Sequence, residues 1–408
     1  MSFFIEREGQ YGAHNYEPLP VVLTRGEGIY VWDNEGNRYI DMMSAYSAMS
    51  HGHCHPKIIN ALKMQAAKLA VVSRAFYTDK LGEFLEAACR ATGQDKALPM
   101  NSGAEAVETA LKAARKWAYT VKQVPADKAE IIVCKNNFHG RTISIVSMSS
   151  EQQYKEGFGP LTPGFKMIPY GDAKQLEQAI TPHTAAFLVE PIQGEAGIIV
   201  PPQGYLKECE NICRRENVLL ICDEIQTGMG RTGRFLASDH ENVKPDGLVL
   251  GKALGGGLLP VSLFLARQEV MNVFGPGDHG STFGGSPLAS AVGIAALNVL
   301  HEEGLVEHAA KAGDYLLQAL KKINSPLIET IRGKGLLIGI VIKPEYYTAR
   351  EICLRLMKEG VLTKDAHGTV IRLAPPLIIT PEQIDTVVST ITRVLAKAET
   401  EIKDTQQG

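Results

Sequence analysis

The sequence carries little excess charge of either sign: 42 Lys and Arg stand against 45 Asp and Glu, a formal net charge of −3. That balance gives no basic footprint for nucleic acid and no polybasic run for an anionic membrane. Long apolar runs are also missing. The uncharged apolar stretch over 253–266 is too short for a bilayer and contains Gly255, Gly256, Gly257 and Pro260. The seven cysteines are odd in number and irregularly spaced, which argues against a disulfide framework and suits a reducing compartment. MSFFIEREGQ at the N-terminus lacks a cationic flank leading into an apolar core and is not Arg-rich and acid-poor, so a cytoplasmic location is expected. No internal repeat or low-complexity tract is present. These absences leave a globular chain of 408 residues, 45% hydrophobic, suited to small-molecule chemistry.

What is present is alternation. The β-rich runs AEIIVCK (129–135), TAAFLVE (184–190), NVLLICDEI (217–225), DGLVLGKAL (246–254) and VSLFLAR (261–267) are separated by helical patterns. Continuous apolar strands with helices between them predict a parallel sheet covered on both faces, hence an α/β core. After about residue 293 come a helix over 293–303, IRGKGLLIGIVI, a helix over 349–360, TVIRLAPPL and a terminal helix from Pro381. That mixture predicts a smaller α+β domain. TRGEGIYVWDNEGNRYID predicts a small hairpin-bearing segment turned by Asn34, Gly36 and Asn37. The expected divisions are an N-terminal segment over 1–46, a large domain over 47–292 and a small domain over 293–408.

Two motifs point elsewhere by letter. Gly228, Gly230 and Gly233 in GMGRTG satisfy the dinucleotide pattern G-x-G-x-x-G behind a predicted strand. That pattern works by opening a helix whose N-terminus holds a pyrophosphate. RFLASDHENVKPDG has no sustained helical period, and Asp223 and Glu224 would repel the anion, so a glycine-rich turn is expected rather than an NAD-dependent oxidoreductase. His51, His53, Cys54 and His55 in HGHCHP have the density of a metal site. No ligand pair such as C-x-x-C or H-E-x-x-H accompanies them, and Pro56 marks a helix start, so capping and packing are expected there, without a metal.

Lys252 lies in LVLGKALGGG, between an apolar strand and three glycines. A solvated lysine at a strand end is the ordinary case, but burial among apolar neighbours would favour the neutral, nucleophilic amine of a Schiff-base lysine. Asp223 ends the apolar part of VLLICDEIQTG, and strand alternation sends Asp223 and Ile225 to one face and Glu224 to the other. Pyridoxal phosphate chemistry needs a lysine to hold the aldehyde and a carboxylate to keep the pyridine nitrogen protonated. MNSGAEAVETALKAARKW adds a helix start at Ser102, Gly103 and Ala104, with an apolar face of Val107, Ala110, Leu111, Ala114 and Trp117. Its free N–H groups suit a phosphate, and Ser102 with Glu105 also makes an S-x-x-E capping box.

EPIQGEAG (190–197), DEIQTGMGRTG (223–233), LGKALGGG (250–257) and GSTFGG (280–285) resemble the class III pyridoxal phosphate-dependent aminotransferases. The likeness covers nearly the whole chain, from GAHNYEPLP (12–20) through SAYSAMSHGHCHP (44–56) and NFHGRT (137–142) to IRLAPPL (371–377). It implies fold type I, a large domain around a mainly parallel seven-stranded sheet, in a homodimer with active sites at the subunit boundary. It also implies Lys252 as Schiff-base partner and general base, Asp223 on the pyridinium nitrogen and Gln226 near the ring oxygen. Phe138 and Ile225 would sandwich the ring, with His139 beside them. Ser102, Gly103 and Ala104 would hold the phosphate, helped by Thr282 and Ser281 of the partner subunit. His139 departs from those members that carry tryptophan after the stacking phenylalanine.

The same resemblance implies the substrates. L-Ornithine would present its terminal amine, its remote carboxylate and α-amine held by Arg141 and Tyr16, with Tyr46 lining the pocket. L-Glutamate and 2-oxoglutarate bring a carboxylate close to the ring, where Arg372 would bind it, and Glu195 would cover Arg372 while ornithine reacts. Without the resemblance these arginines and tyrosines read as solvated or packing residues. Acetylornithine and 4-aminobutyrate are the alternative donors within the family. Tyr16 discriminates, because only a free α-amine needs a polar partner. A catalytically silent pyridoxal-binding protein is a further alternative.

Overall fold

The computed structural model describes residues 3–407. Its largest sheet has seven strands, in the order Lys96–Met100, Ser262–Ala266, Gly247–Leu250, Leu219–Asp223, Thr184–Val189, Glu130–Cys134 and Phe165–Ile168. Five are the expected apolar runs. The two edge strands, KALPM and FKMI, carry lysines, and the first a proline, because an edge is only partly covered. Four neighbouring pairs are parallel, but Ser262–Ala266 runs antiparallel to both its neighbours. The connection over 251–261, a 3-10 turn and a glycine-rich loop, is too short for a parallel crossover.

Alternate residues of each strand enter two separate cores. Ile132, Phe187, Val189, Leu220, Cys222, Leu248 and Leu250 share a core with residues of helices Ala173–Ala179 and Tyr205–Arg215. Ile131, Val133, Leu188, Leu219, Ile221 and Val249 share the other with helix Gly103–Thr120, whose apolar face is the one read from sequence.

Helix Pro287–Glu302 begins earlier than the sequence suggested. Ser286 caps it by accepting from the Ala289 N–H, and Pro287 occupies the first turn. It packs on helices Pro56–Lys68 and Leu81–Thr92, so a division after residue 292 would cut one helix. Farther on, the hairpin of Ile328–Lys334 and Leu337–Ile342 joins Val370–Leu373 and Lys364–Ala366 in an antiparallel four-stranded sheet. Helices Leu305–Lys321, Ala349–Lys358 and Pro381–Gln407 accompany it. The N-terminal hairpin pairs Tyr30–Asp33 with Arg38–Asp41, its turn held by Asp33, which accepts from the N–H groups of Glu35 and Asn37 at 2.9 and 2.8 Å. Val361–Leu362 then adds in parallel to Arg38–Asp41, so the two ends of the chain share a sheet. Among the described residues no helix is long and apolar enough to cross a membrane.

Six strands of the large sheet point the same way, so Met100, Cys134, Val189, Asp223 and Leu250 end along one edge. The loops that follow them meet there, where open α/β sheets place their ligands.

Candidate active site

These loops enclose a cavity of about 190 Å³ lined by residues from each of the five. Asp223 is buried at the end of its strand, with Oδ2 2.6 Å from Nδ1 of buried His139. Its other oxygen accepts from the Ile225 N–H at 3.1 Å. Burial alone would lower the His139 pKa, but the hydrogen bond and charge of Asp223 outweigh it and raise the imidazole above its ordinary value. Glu224 turns to the opposite side. It accepts from Thr227 Oγ1 and from the N–H groups of Ala237 and Ser238, pinning the loop after the strand.

Lys252 opens the 3-10 turn Lys252–Gly255 with φ of 43°, a left-handed conformation that costs an L-residue about 1 kcal/mol or more. Its side chain lines the cavity. Burial pulls its ammonium below the ordinary lysine value, partly opposed by the charges of Glu195 and Asp223. Ile225 packs into a space that two glycines leave open. A Cβ on Gly103 would fall 2.9 Å from Ile225 Cδ1, and one on Gly251 3.3 Å from its Cγ2. Gly103 and Ala104 line the cavity at the start of their helix, and Ser102 caps that helix by accepting from the Glu105 N–H at 3.2 Å.

A second group joins Glu195 and Gln226 of the cavity lining to the C-terminal sheet. Arg372, buried in strand Val370–Leu373, places Nη1 2.7 Å from Glu195 Oε1, which also accepts from Gln226 Nε2 at 3.1 Å. Burial acts to raise the Glu195 pKa, but Arg372 and Lys252 hold the carboxyl below its usual range. Arg372 Nε and Gln226 Oε1 are buried without a partner. The Arg372 guanidinium lies 4.6 Å from the ring centroid of Tyr46. Tyr46 is presented by a left-handed turn, Ser44–Ser47, with φ values of 49°, 45°, 59° and 76°. Asp41 holds that strained turn by accepting from the N–H groups of Met43 and Ser44, and His53 Nε2 sits 2.8 Å from Asp41. The histidines of HGHCHP thus have separate partners: Asp41 for His53, the Ala296 carbonyl for His51 and Glu303 for His55. GMGRTG forms a turn rather than a helix start, and its Arg231 is fully buried, donating to the Leu336 and Pro375 carbonyls and to Ser50.

Phe138 and His139 line the cavity from the loop after Glu130–Cys134, whereas Arg141 stands exposed at its rim, stacked on Tyr154. Tyr16 is 66% exposed, its ring near Lys364. Ser281 and Thr282 do not line this chain's cavity. Ser281 Oγ accepts from Asn101 Nδ2 and the Gly284 N–H, and Thr282 is exposed. Sequence reading missed Glu190 and Tyr154. Glu190 is buried in the cavity wall, accepts from the N–H groups of Phe138 and Gly194 at 2.9 and 3.4 Å, and is pushed up by burial to about 7. Its signal was available, since it ends the apolar run TAAFLVE as Asp223 ends its own; nothing in EQQYKEG marks Tyr154.

The family model described as aminotransferase class-III matches residues 11–395. A Geobacillus sp. protein named ornithine aminotransferase is 58% identical over 387 residues, covering 95% of this chain and 96% of its own. The ornithine aminotransferase structure from Toxoplasma gondii superposes with a TM-score of 0.96 at 46% identity, over 98% of this chain and 95% of that one. An acetylornithine aminotransferase structure from Elizabethkingia anophelis gives a TM-score of 0.89 at 51% identity, over 97% and 98%. A lysine, a strand-end aspartate and a helix start around one cavity, together with a match over most of the sequence, place the chain among the class III aminotransferases.

Proposed function

We propose that this chain transfers the δ-amino group of L-ornithine to 2-oxoglutarate by a ping-pong sequence, giving L-glutamate 5-semialdehyde and L-glutamate. The observation that carries the reading is a pair of arginines in opposite states: Arg372 is covered by Glu195 at 2.7 Å, whereas Arg141 is open at the rim. A donor that brings its terminal amine to the reacting end needs a carboxylate anchor far away and none nearby. Glutamate, which reacts at its α-amine, brings a carboxylate beside the reacting carbon and so needs the nearer cation as well.

Pyridoxal phosphate is the cofactor of class III aminotransferases, and the residues fit it. Gly103 and Ala104 offer N–H groups at a helix start, Ile225 and Phe138 are the apolar walls, and the partnerless Gln226 Oε1 is a free acceptor in the lining. When bound, the group accepts the electrons released at the substrate carbon. Asp223 would face its ring nitrogen, with His139 holding the carboxylate in place. Lys252 would form the covalent attachment and afterwards carry the proton through Nζ, for which its lowered pKa suits it. Arg141 and Tyr16 would anchor ornithine, Tyr46 would line its path, and Glu195 would leave Arg372 when glutamate enters.

Ser281 and Thr282 would complete the phosphate site of the partner subunit in a homodimer. Exposed Phe76, Tyr77 and Phe283 lie on segments joined by a hydrogen bond from the Leu288 N–H to the Ala70 carbonyl, and they would supply apolar contact area for that dimer. The free cysteines, mostly buried, suit a cytoplasmic enzyme.

The test is to load purified protein with pyridoxal phosphate and follow the cofactor's absorbance after mixing with each donor. Ornithine should convert it faster than acetylornithine or 4-aminobutyrate, and Lys252→Ala should abolish conversion. Equal rates would remove ornithine as the preferred donor. A protein that takes up no pyridoxal phosphate would overturn the cofactor.

A further inference from the structure

Glu195 belongs to a closed turn over 193–199. Gln193 and Ile199 exchange backbone hydrogen bonds of 3.1 and 2.9 Å at its base, and the Gly194 carbonyl accepts from the N–H groups of Gly197 and Ile198 across its tip. This turn rests on the four-stranded antiparallel sheet. There Arg332, Gly339 and Arg372 stand directly opposite one another on three adjacent strands, so they share one face. Gly339, in the middle of the row, has no side chain, and the turn fills that space. A Cβ on Gly339 would fall 3.2 Å from the Gly197 carbonyl oxygen and 3.3 Å from Ile198 Cβ. The flanking arginines grip the turn at two points. Arg372 takes the Glu195 carboxylate at 2.7 Å, and half-buried Arg332 donates from Nε and Nη2 to the Gly197 carbonyl at 3.1 and 2.9 Å. Among the described residues no carboxylate forms an ion pair with Arg332.

A guanidinium that places two N–H groups on one oxygen fixes the direction of that carbonyl as well as its distance. We propose that Arg332 is a specificity-determining positioning residue, holding the turn on the sheet so that the Glu195 carboxylate meets Arg372 whenever no α-carboxylate is bound. Arg332 does not line the cavity and acts through Glu195. Loosening its grip lowers the share of molecules in which Arg372 is covered.

The inference rests on the proposed role of Glu195 as the cover of Arg372, and the two fail separately. Arg332→Met keeps most of the stem and removes both hydrogen bonds. In the cofactor-loaded protein, amides over 193–199 should exchange hydrogen on the order of tenfold faster, with those of Leu219–Asp223 unchanged. In half-reactions the KM for glutamate should fall by about threefold or more, and ornithine should yield some α-oxo acid beside the δ-semialdehyde. Arg332→Lys, which keeps a charged donor without the fork, should lie between wild type and Arg332→Met. Adding Arg332→Met to Glu195→Gln should change neither KM nor product beyond Glu195→Gln alone. Gly339→Ala crowds Gly197 and Ile198 without touching a charge; it should move exchange and product the same way, and it serves these comparisons if Arg332→Met fails to fold. Unchanged exchange over 193–199 in a folded variant would overturn the proposal. So would faster exchange with wild-type KM and product while Glu195→Gln alters both. If Glu195→Gln alters neither, the cover does not select between substrates, and the role of Arg332 falls with it.

Discussion

Replacing Glu195 with glutamine keeps the shape of the side chain and removes the charge that covers Arg372. In the native chain the carboxylate takes Arg372 Nη1 at 2.7 Å and Gln226 Nε2 at 3.1 Å, so an incoming α-carboxylate must displace it. A hydrogen bond to a charged group contributes about 1.5–3 kcal/mol, which corresponds to roughly 10- to 150-fold in affinity. In Glu195→Gln, Arg372 should therefore accept any α-carboxylate more readily, and the KM for glutamate should fall by about tenfold or more. Ornithine is itself an α-amino acid, so it should begin to bind reversed and react at its α-amine. The assay is a single-turnover half-reaction with L-ornithine, followed by identification of the product as the δ-semialdehyde or the α-oxo acid. Wild type should give the former and the variant a mixture. Because Glu195 titrates below the usual carboxylate range, the cover stays charged across neutral pH, and wild-type regiospecificity should not change there. A variant that makes only the δ-product with an unchanged KM for glutamate would refute the reasoning.

Glu190 predicts a pH effect on stability. Its folded pKa of about 7 lies above the ordinary 4.5, so the folded state binds the proton more tightly, and stability falls as pH rises from 4.5 through about 7. The span corresponds to roughly 3 kcal/mol, and urea titrations of the cofactor-free protein should show a slope that Glu190→Gln lacks. The neighbouring acids Asp223 and Glu224 should behave oppositely. Glu224→Ala strands the N–H groups of Ala237 and Ser238 and should cost about 2–4 kcal/mol of stability by denaturant titration, whereas Asp223→Asn should mainly lower the rate. Gly313→Ala would place a Cβ 2.2 Å from the Gly335 carbonyl carbon, where helix Leu305–Lys321 crosses a tight loop. Its cost should be about 1–3 kcal/mol or more, read as a lower Tm, with half-reaction rates unaffected below the transition.

The parts of the fold visible in sequence were those where both faces of a strand are covered. Thr184–Val189, Leu219–Asp223 and Gly247–Leu250 are buried at every position, so their apolar runs are unbroken. Lys96–Met100 and Phe165–Ile168 have one open edge each, and their lysines erased that signal. The start of Pro287–Glu302 is marked by Ser286 and Pro287, a cap and a first-turn proline that stand ahead of the expected start at residue 293. The left-handed turn that presents Tyr46 has no glycine to announce it. It is held from outside, by Asp41 and in turn by His53, and such tertiary support leaves no local pattern. The crossing of Tyr154 over Arg141 is likewise a product of the loop's path rather than of its composition.

Adjacent carboxylates at the end of a buried strand were the feature that alternation explained best. Asp223 follows Leu219 and Ile221 onto the face shared with helix Gly103–Thr120, so the same parity that buries those side chains carries its carboxylate toward the helix start where Gly103 meets Ile225. Glu224 follows Leu220 and Cys222 to the other face, where it satisfies two backbone N–H groups. Glu190 ends the next strand in the same manner, which sets two carboxylates against the one imidazole of His139 at the sheet edge. Charge crowded there is costly in a dry protein interior unless it is paired or a proton stays, and the Lys252 amine faces the same two acids. Burial pushes Glu190 up to about 7, so it holds its proton into the neutral range, while Asp223 keeps its hydrogen bond to His139. The strand's parity thus decides which of two neighbouring acids faces the cavity and which holds a loop.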